Sequence, residues 1–241
     1  MCRYLLAEFL KQKHRFNVKL IWLSPLIIIV LVLSLMDGSY LVSGAFNWWY
    51  TLMLPATISI IITATVSMEK KHNRHNLFCI VVDKRKLWMA QILVNAGFLL
   101  ILNMIFFIML AVIGNFLCVS VPLVQCFLAS LVLFLTFAWQ IPVLMFISEK
   151  IGAFFTIIIS LFLNIGVGIF CATERYWYVP FSIPPRLMCP ILKVLPNGLP
   201  LESGNALGDT SVIPLGILIT IALFFIFSFI TTYWFKNMEV K

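Results

Sequence analysis

Long apolar runs separated by short polar segments dominate the chain. Six of the runs are apolar over roughly the 20 residues that a helix needs to cross a bilayer. They cover about residues 20–36, 49–68, 87–116, 123–147, 152–171 and 212–234, with boundaries good to about two to four residues. The pattern therefore predicts an all-α polytopic membrane protein with six transmembrane helices.

Composition points the same way. Of the 241 residues, 62% are hydrophobic and 11% are charged, whereas soluble domains average about 25% charged residues. A soluble domain of this length could not bury so much apolar surface. One transmembrane domain covering residues 1–241 is predicted, and the first run, which no small-residue cleavage site follows, is expected to be a retained helix.

Lysine and arginine are unevenly distributed over the loops. If the N-terminus lies inside the cell, the inside segments hold 14 of these residues and the outside segments hold three, Arg175, Arg186 and Lys193. Cytoplasmic loops carry the excess of positive charge in membrane proteins. We therefore expect both ends of the chain in the cytoplasm, and we attribute the net charge of +8 to orientation rather than to a nucleic-acid partner.

The first residues form a separate amphipathic segment. Leu5, Leu6, Phe9 and Leu10 recur at helical spacing within residues 1–17. This pattern predicts a short interfacial helix on the inner leaflet, with the basic residues that follow among anionic lipid headgroups. The alternative is an ordinary charged flank to the first transmembrane helix.

The inner loop at residues 69–86 has charged ends and an apolar centre, Leu77–Val82. A solvated linker has no physical reason to carry six apolar residues in a row, so they must face lipid or a protein. A short helix that docks into a partner's groove fits this pattern.

The outer segment at residues 172–211 contains six of the chain's 11 prolines and is also rich in aromatic and aliphatic residues. Proline interrupts helices and favours extended geometry in the residue before it. We expect short broken helices that re-enter the outer interface and pack against the transmembrane helices, anchored by Tyr176, Trp177 and Tyr178.

Catalytic and metal-binding motifs are missing from the sequence. It has no phosphate-binding glycine loop, no zinc-binding helix with paired histidines and no nucleophile elbow. The apolar runs contain no Asp, Glu, Lys or Arg in their cores, which weakens the case for an ion-coupled carrier. We therefore predict a non-enzymatic subunit without a cofactor or metal of its own, driven by another protein.

Two groups of polar residues in or near the apolar runs leave alternatives open. Amides within the runs could bond to neighbouring helices or line a polar translocation path. Cys171 and Cys189 flank part of the outer segment and could form a disulfide or remain free thiols. The amides are Asn95, Asn103, Gln125, Gln140 and Asn164.

The arrangement of these segments resembles the ABC-2 type (ABCG-like) permeases: an interfacial helix, six transmembrane helices, a long inner loop after the second and a re-entrant outer segment before the last. Two stretches make the resemblance more specific: WYVPFSIPPRLMCPILKVLPNGLP, from Trp177 to Pro200, and MEKKHNRHNLF, from Met68. With these stretches the chain resembles the G-type permease subunits of lantibiotic-immunity ABC transporters, the MutG-like family.

The resemblance implies a permease that removes a lantibiotic from the cytoplasmic membrane of a Gram-positive producer and expels it outward. A cytoplasmic ATPase in two copies would bind ATP and Mg²⁺, and a related E-type permease would complete the transporter. The implied ATPase-coupling residues are Glu69, Leu77, Phe78, Val81, Lys84, Arg85, Lys86 and Glu149. The residues that we expect along the substrate's exit are Trp177, Tyr178, Pro184, Pro185 and Arg186.

Three other functions remain possible at this point. The first is export of another amphipathic peptide antibiotic or of a lipid. The second is a non-transporting immunity protein that binds the peptide at the membrane surface. The third is a membrane enzyme that uses the outer acids Glu174, Glu202 and Asp209, although their spacing fits neither a metal site nor acid–base catalysis.

Overall fold

A computed structural model describes residues 1–12, 16–36, 38–71, 83–117, 121–202 and 204–238. The described part of the chain is helical, apart from turns and a single bridge between Val194 and Pro200. The helices are α1 (Cys2–Gln12), α2 (Phe16–Leu35), α3 (Leu41–Trp48), α4 (Leu54–Lys71), α5 (Lys84–Phe116), α6 (Leu123–Ala138), α7 (Gln140–Ile151), α8 (Ala153–Phe162), α9 (Gly168–Ala172), α10 (Ile183–Leu192) and α11 (Val212–Lys236).

Five stretches of these helices are long and apolar enough to cross a membrane, and the bent pair α6 and α7 makes a sixth if it counts as one span. The predictions of a helical fold and of about six helices long and apolar enough to cross a membrane are thus confirmed. The five are Val18–Leu35, Leu41–Met68, Lys84–Phe116, Ala153–Ala172 and Val212–Lys236.

The second span begins at Leu41, well before the predicted start near residue 49. Ser43, Gly44 and Asn47 interrupt the apolar run in the sequence, which is why its beginning was missed. The helix nevertheless continues through these residues, and Gly44 and Asn47 are buried. A π turn at Trp49–Met53 then joins α3 to α4.

The predicted fourth span corresponds to a bent pair of helices rather than to one straight helix. α6 ends at Ala138, α7 begins at Gln140, and their axes differ by 41°. Pro142 explains the break, because it has no N–H to bond the carbonyl of Ala138 and its ring crowds that carbonyl.

The most deeply buried aromatic residues lie where the second span crosses α5. Trp49 stacks on Phe106 with ring centroids 4.4 Å apart, and Phe46 meets the same ring edge-on at 5.0 Å. The indole N–H of Trp49 donates to Asn103 Oδ1 at 3.2 Å. By contrast, large apolar side chains such as Phe170 and Phe229 remain exposed on the outside of the bundle, as expected for surfaces that face lipid.

The predicted interfacial segment at residues 1–17 contains α1 and the start of α2. α1 packs along α5, with the ring of Phe9 centred 6.2 Å from that of Phe98. Its exposed residues include the apolar Leu6 and Leu10, which fits contact with lipid, as well as the basic Arg3 and Lys11. Glu8 turns into the bundle, where it is 1% exposed and forms an ion pair with Lys11.

Candidate functional site

The predicted coupling cations Lys84, Arg85 and Lys86 form the first turn of α5. Asp83 is the N-cap of this helix, and its Oδ1 accepts hydrogen bonds from the backbone N–H groups of Arg85 at 3.1 Å and Lys86 at 3.4 Å. The Lys86 ammonium also lies 3.3 Å from the Asp83 carboxylate. An N-cap of this kind satisfies amide groups that a helix terminus otherwise leaves unpaired, so this turn has a defined structure of its own.

Three helices meet at this turn. The Lys84 ammonium donates to the carbonyl oxygen of Met238 at 2.8 Å, just after α11, and the backbone N–H of Asp83 donates to the hydroxyl of Tyr4 in α1 at 3.3 Å. The first turn of α5 therefore contacts both the N-terminal helix and the end of the last span.

The end of α7 joins the same region. The Lys150 ammonium lies 5.0 Å from the ring centre of Trp234 in α11, a cation–π contact. Trp88 of α5 stacks on Phe235 at 4.4 Å between ring centroids. Glu149 precedes Lys150 in the last turn of α7 and is half-buried. We call this region, where α1, the start of α5 and the ends of α7 and α11 meet, the basic end of the bundle.

The remaining coupling residues lie elsewhere. Glu69 belongs to the last turn of α4, which continues to Lys71. Leu77, Phe78 and Val81 lie outside the described residues. The loop predicted at residues 69–86 is thus helical at both of its ends, because α4 and α5 extend into it.

The proline-rich outer segment lies at the opposite end of the bundle from the basic end. Pro184 and Pro185 start α10, where a missing N–H breaks no helical hydrogen bond. α10 packs tightly on α11, because a Cβ at Gly216 would come within 3.0 Å of both Ile183 and Leu187. The expected packing of short helices against the spans is confirmed for α10, whereas their position at the outer interface stays a prediction.

The chain before α10 contacts the broken fourth span. The ring of Phe181 meets that of Trp139, at the break, with 4.9 Å between centroids. The carbonyl of Phe181 lies against Gly168 of α9, where an added Cβ would be 2.9 Å from the oxygen. The outer segment thus packs directly on the point where the fourth span bends.

Most of the residues expected along the exit path are structural in this conformation. Pro184 and Pro185 are buried, and Arg186 is 5% exposed. The Arg186 guanidinium donates to the carbonyl oxygens of Leu207 at 2.5 Å and Ala206 at 3.4 Å. Of the five predicted residues, Tyr178 is exposed and Trp177 is half-buried, so these two are open to a ligand.

A short hairpin follows α10 and ties the outer segment to the second span. The N–H of Leu201 donates to the carbonyl of Lys193, and the tip turns at Pro196 and Gly198. The side-chain amide of Asn47, at the end of α3, donates to the carbonyl oxygen of Pro196 at 2.7 Å. This buried contact was missed in the sequence, where Asn47 preceded the predicted second span.

Cys171 and Cys189 are free thiols, so the disulfide that the sequence left open does not form. Burial raises the pKa of Cys189 to about 11, and its thiol donates to the carbonyl oxygen of Pro185 at 3.4 Å. Packing, rather than a covalent bridge, holds α10 in place.

The amides within the apolar runs act mainly in helix packing, as the first of the two interpretations expected. Gln140 and Asn164 form a reciprocal pair, with N···O distances of 3.0 and 3.1 Å, between α7 and the π turn Leu163–Val167. Asn103 accepts from Trp49, and Asn95 accepts from Thr65 at 3.4 Å. Gln125 is exposed.

An open groove of about 610 Å³ lies between the end of α10 and the chain before α11. Pro190 and Leu201 form part of its lining, together with Lys193, Glu202 and Asp209. The hydroxyl and N–H of Ser211 donate to the Asp209 carboxylate at 2.6 and 2.9 Å, and these bonds lower the pKa of Asp209. The sequence alone does not indicate that Glu202 and Asp209 lie in one groove with Lys193, because the fold of the chain after α10 brings them together.

Comparison of the chain with protein-family models, with curated proteins and with solved structures finds no match. Within the described ranges, no three His, Cys, Asp or Glu side chains come together in a group that could hold a metal ion.

Proposed function

We propose that the chain is the permease subunit of an ABC exporter that gives a Gram-positive bacterium immunity to its own lantibiotic. It would sit in the cytoplasmic membrane in the ABC-2 arrangement, with both ends inside. A separate ATPase, present twice, would bind ATP and Mg²⁺, and an E-type permease would complete the transporter. The peptide would leave the membrane outward.

The observation that carries this proposal is the convergence at the basic end. Lys84 contacts the end of α11, Lys150 packs on Trp234, and Asp83 contacts Tyr4. A protein that pushed on the first turn of α5 would therefore push on α1, α7 and α11 as well. A subunit driven by an external ATPase needs such a surface.

The opposite end supports export of an amphipathic substrate. Tyr176 and Tyr178 are exposed where the outer segment leaves α9, and amphipathic aromatic rings favour the membrane interface. A peptide held in the outer leaflet would meet these rings before it reached water. The contact of Phe181 with Trp139 links this segment to α7, and hence to the basic end.

The proposal can be tested by reversing one charge at the basic end. Arg85 is exposed, and a glutamate in the first turn of a helix interacts favourably with the helix dipole, so Arg85→Glu should leave the fold intact. We expect the variant to lose co-purification with the ATPase and peptide-stimulated ATP hydrolysis. Arg85→Lys, which keeps the positive charge at the same position, is the matched control and should behave like the wild type.

Two results would contradict the proposal. One is normal ATPase association and normal immunity in the Arg85→Glu variant. The other is full protection of cells in which the ATPase has been deleted, which would indicate a non-transporting immunity protein instead.

A further inference from the structure

α7 and α11 lie side by side up to the basic end of the bundle. Trp139 meets Phe227 with ring centroids 6.0 Å apart. Phe146 and Trp234, each seven residues further along its helix, meet at 4.7 Å. Seven residues are about two helical turns, so the two helices run in the same direction. Ile230 lies between the two α11 rings and is 53% exposed, which places it on the outer border of this α7–α11 contact.

The Lys150 ammonium lies where the α7–α11 contact ends. Its nitrogen is 5.0 Å from the ring centre of Trp234 and 6.0 Å from that of Phe146. Among the described residues it forms no ion pair and no hydrogen bond, including none with the adjacent Glu149. Aromatic faces attract a cation, but an ammonium also has three N–H donors. The two rings therefore hold an exposed cation in place and leave its donors available to a ligand.

The charges around Lys150 favour an anionic ligand. The described side chains of α1, of Asp83 with the first turn of α5, and of the last turns of α7 and α11 include seven basic residues. The acidic residues in the same set are Glu8, Asp83 and Glu149, and the first two each pair with a lysine. Four positive charges thus remain in excess, and they attract anions at short range.

The exposed side of α11 beside the contact is apolar. Ile226, Ile230 and Tyr233 follow one another at spacings of four and three residues, so they share one side of the helix, and all three are exposed. In a bilayer such a surface meets acyl chains, and amphipathic aromatic rings such as those of Tyr233 and Trp234 lie at the level of the headgroups. Lys150, on the Trp234 ring, is therefore at headgroup depth, with an apolar surface next to it.

We propose that the α7–α11 contact binds an anionic phospholipid of the bilayer around it. The lipid phosphate accepts hydrogen bonds from the Lys150 ammonium, and one acyl chain lies along Ile230 and Ile226. The inference goes beyond the proposed function, because it requires only that the basic end faces a membrane surface. It involves neither the ATPase nor a transported peptide.

The test is lipid binding to the purified chain in detergent micelles, followed by native mass spectrometry. The probes are phosphatidylglycerol and phosphatidylcholine with the same acyl chains, and the quantity measured is the Kd of the first lipid bound. One basic residue near a membrane surface favours an anionic lipid by about fivefold in Kd. We therefore expect Lys150→Gln, a change at an exposed position, to raise the Kd of phosphatidylglycerol about fivefold and to leave that of phosphatidylcholine unchanged. Lys150→Arg should keep the wild-type Kd, because arginine retains the charge and also stacks on aromatic rings.

The matched control is Lys19→Gln, which removes an exposed positive charge at the start of α2, outside the α7–α11 contact. It should leave the Kd of phosphatidylglycerol unchanged. Equal Kd values for the Lys19→Gln and Lys150→Gln variants would overturn the inference, since they would indicate attraction to the net charge alone. Equal binding of the two lipids by the wild type would also overturn it. So would displacement of phosphatidylglycerol by an equal concentration of glycerol 3-phosphate, which would indicate a site for free phosphate.

The lipid measurements contain no ATPase, so the two proposals can fail separately. Phosphatidylglycerol binding that depends on Lys150 would support the lipid site even if the Arg85→Glu experiment showed that no ATPase is involved. Coupling to an ATPase without such binding would support the exporter and exclude the lipid site.

Discussion

Replacing Gly216 in α11 by alanine should disturb the packing of α10 on α11, because the added methyl group has too little space. An added Cβ would lie 3.0 Å from Ile183 Cγ2 and 3.0 and 3.1 Å from the two methyl carbons of Leu187. Carbon atoms in contact prefer separations of about 3.5–4.0 Å. Both side chains are fully buried, so in the Gly216→Ala variant Ile183 and Leu187 would have to shift against close-packed neighbours.

The expected magnitude follows from a comparison with Gly97 in α5. Gly→Ala within a helix gains about 1 kcal/mol from helix propensity, and an added Cβ at Gly97 meets no atom within 4 Å. The Gly97→Ala substitution should therefore raise the free energy of unfolding by up to that amount. The Gly216→Ala substitution gains the same helix propensity, but overpacking lowers its free energy of unfolding by about 1–3 kcal/mol. Because the propensity contribution is the same in both variants, their free energies of unfolding should differ by about 1–3 kcal/mol.

The free energy of unfolding can be measured by reversible denaturation in mixed micelles of a mild detergent and dodecyl sulfate, followed by tryptophan fluorescence. Hydrogen exchange should show faster exchange of the α10 amides in Gly216→Ala and unchanged exchange in Gly97→Ala. Equal free energies of unfolding for the two variants would refute the close packing of α10 on α11.

Three further predictions concern contacts described above. A double-mutant cycle of Gln140→Leu and Asn164→Leu should give a coupling free energy of about 1 kcal/mol, since each interhelical hydrogen bond contributes about 0.6 kcal/mol; additive effects in the same denaturation assay would exclude a direct pair. Asn47→Ala removes the donor to the Pro196 carbonyl, so it should lower the free energy of unfolding by about 1–3 kcal/mol. It should also speed amide hydrogen exchange in the hairpin. Unchanged exchange would contradict the contact between Asn47 and Pro196. Lys193→Gly should raise the free energy of unfolding by about 1 kcal/mol, because glycine adopts the left-handed conformation without the steric cost that lysine incurs. A lower free energy of unfolding would show that the conformation of Lys193 is not strained.

The hydrophobic pattern predicted the helical class and the approximate number of spans, because a span needs only length and apolarity. It failed where polar residues are satisfied inside the bundle. From the sequence, Asn47 is expected in a loop before the second span, but its side-chain amide donates to the carbonyl oxygen of Pro196. Glu8 is expected on the solvent-exposed face of an interfacial helix, but it is buried and forms an ion pair with Lys11.

The candidate sites were predictable only in part. The clustering of Lys84, Arg85 and Lys86 can be read directly, because neighbours in sequence share a helix turn. Their contacts with Met238 and Tyr4 depend on how distant helices pack, which no local pattern encodes. The groove likewise joins Lys193 to Asp209 through the fold of the hairpin, and the left-handed backbone at Lys193 has no signature in the sequence.

The break at Trp139 has a mechanical consequence. An unbroken helix transmits a push along its own axis, whereas a helix with an interrupted hydrogen-bond ladder can swing about the interruption. α7 has 12 residues, which makes it a lever arm about 18 Å long. A rotation of about 10° at Trp139 would carry its far end, at Lys150, sideways by about 3 Å. The break at Pro142 thus allows a small rotation within the bundle to displace the basic end. The displacement is about as long as a hydrogen bond.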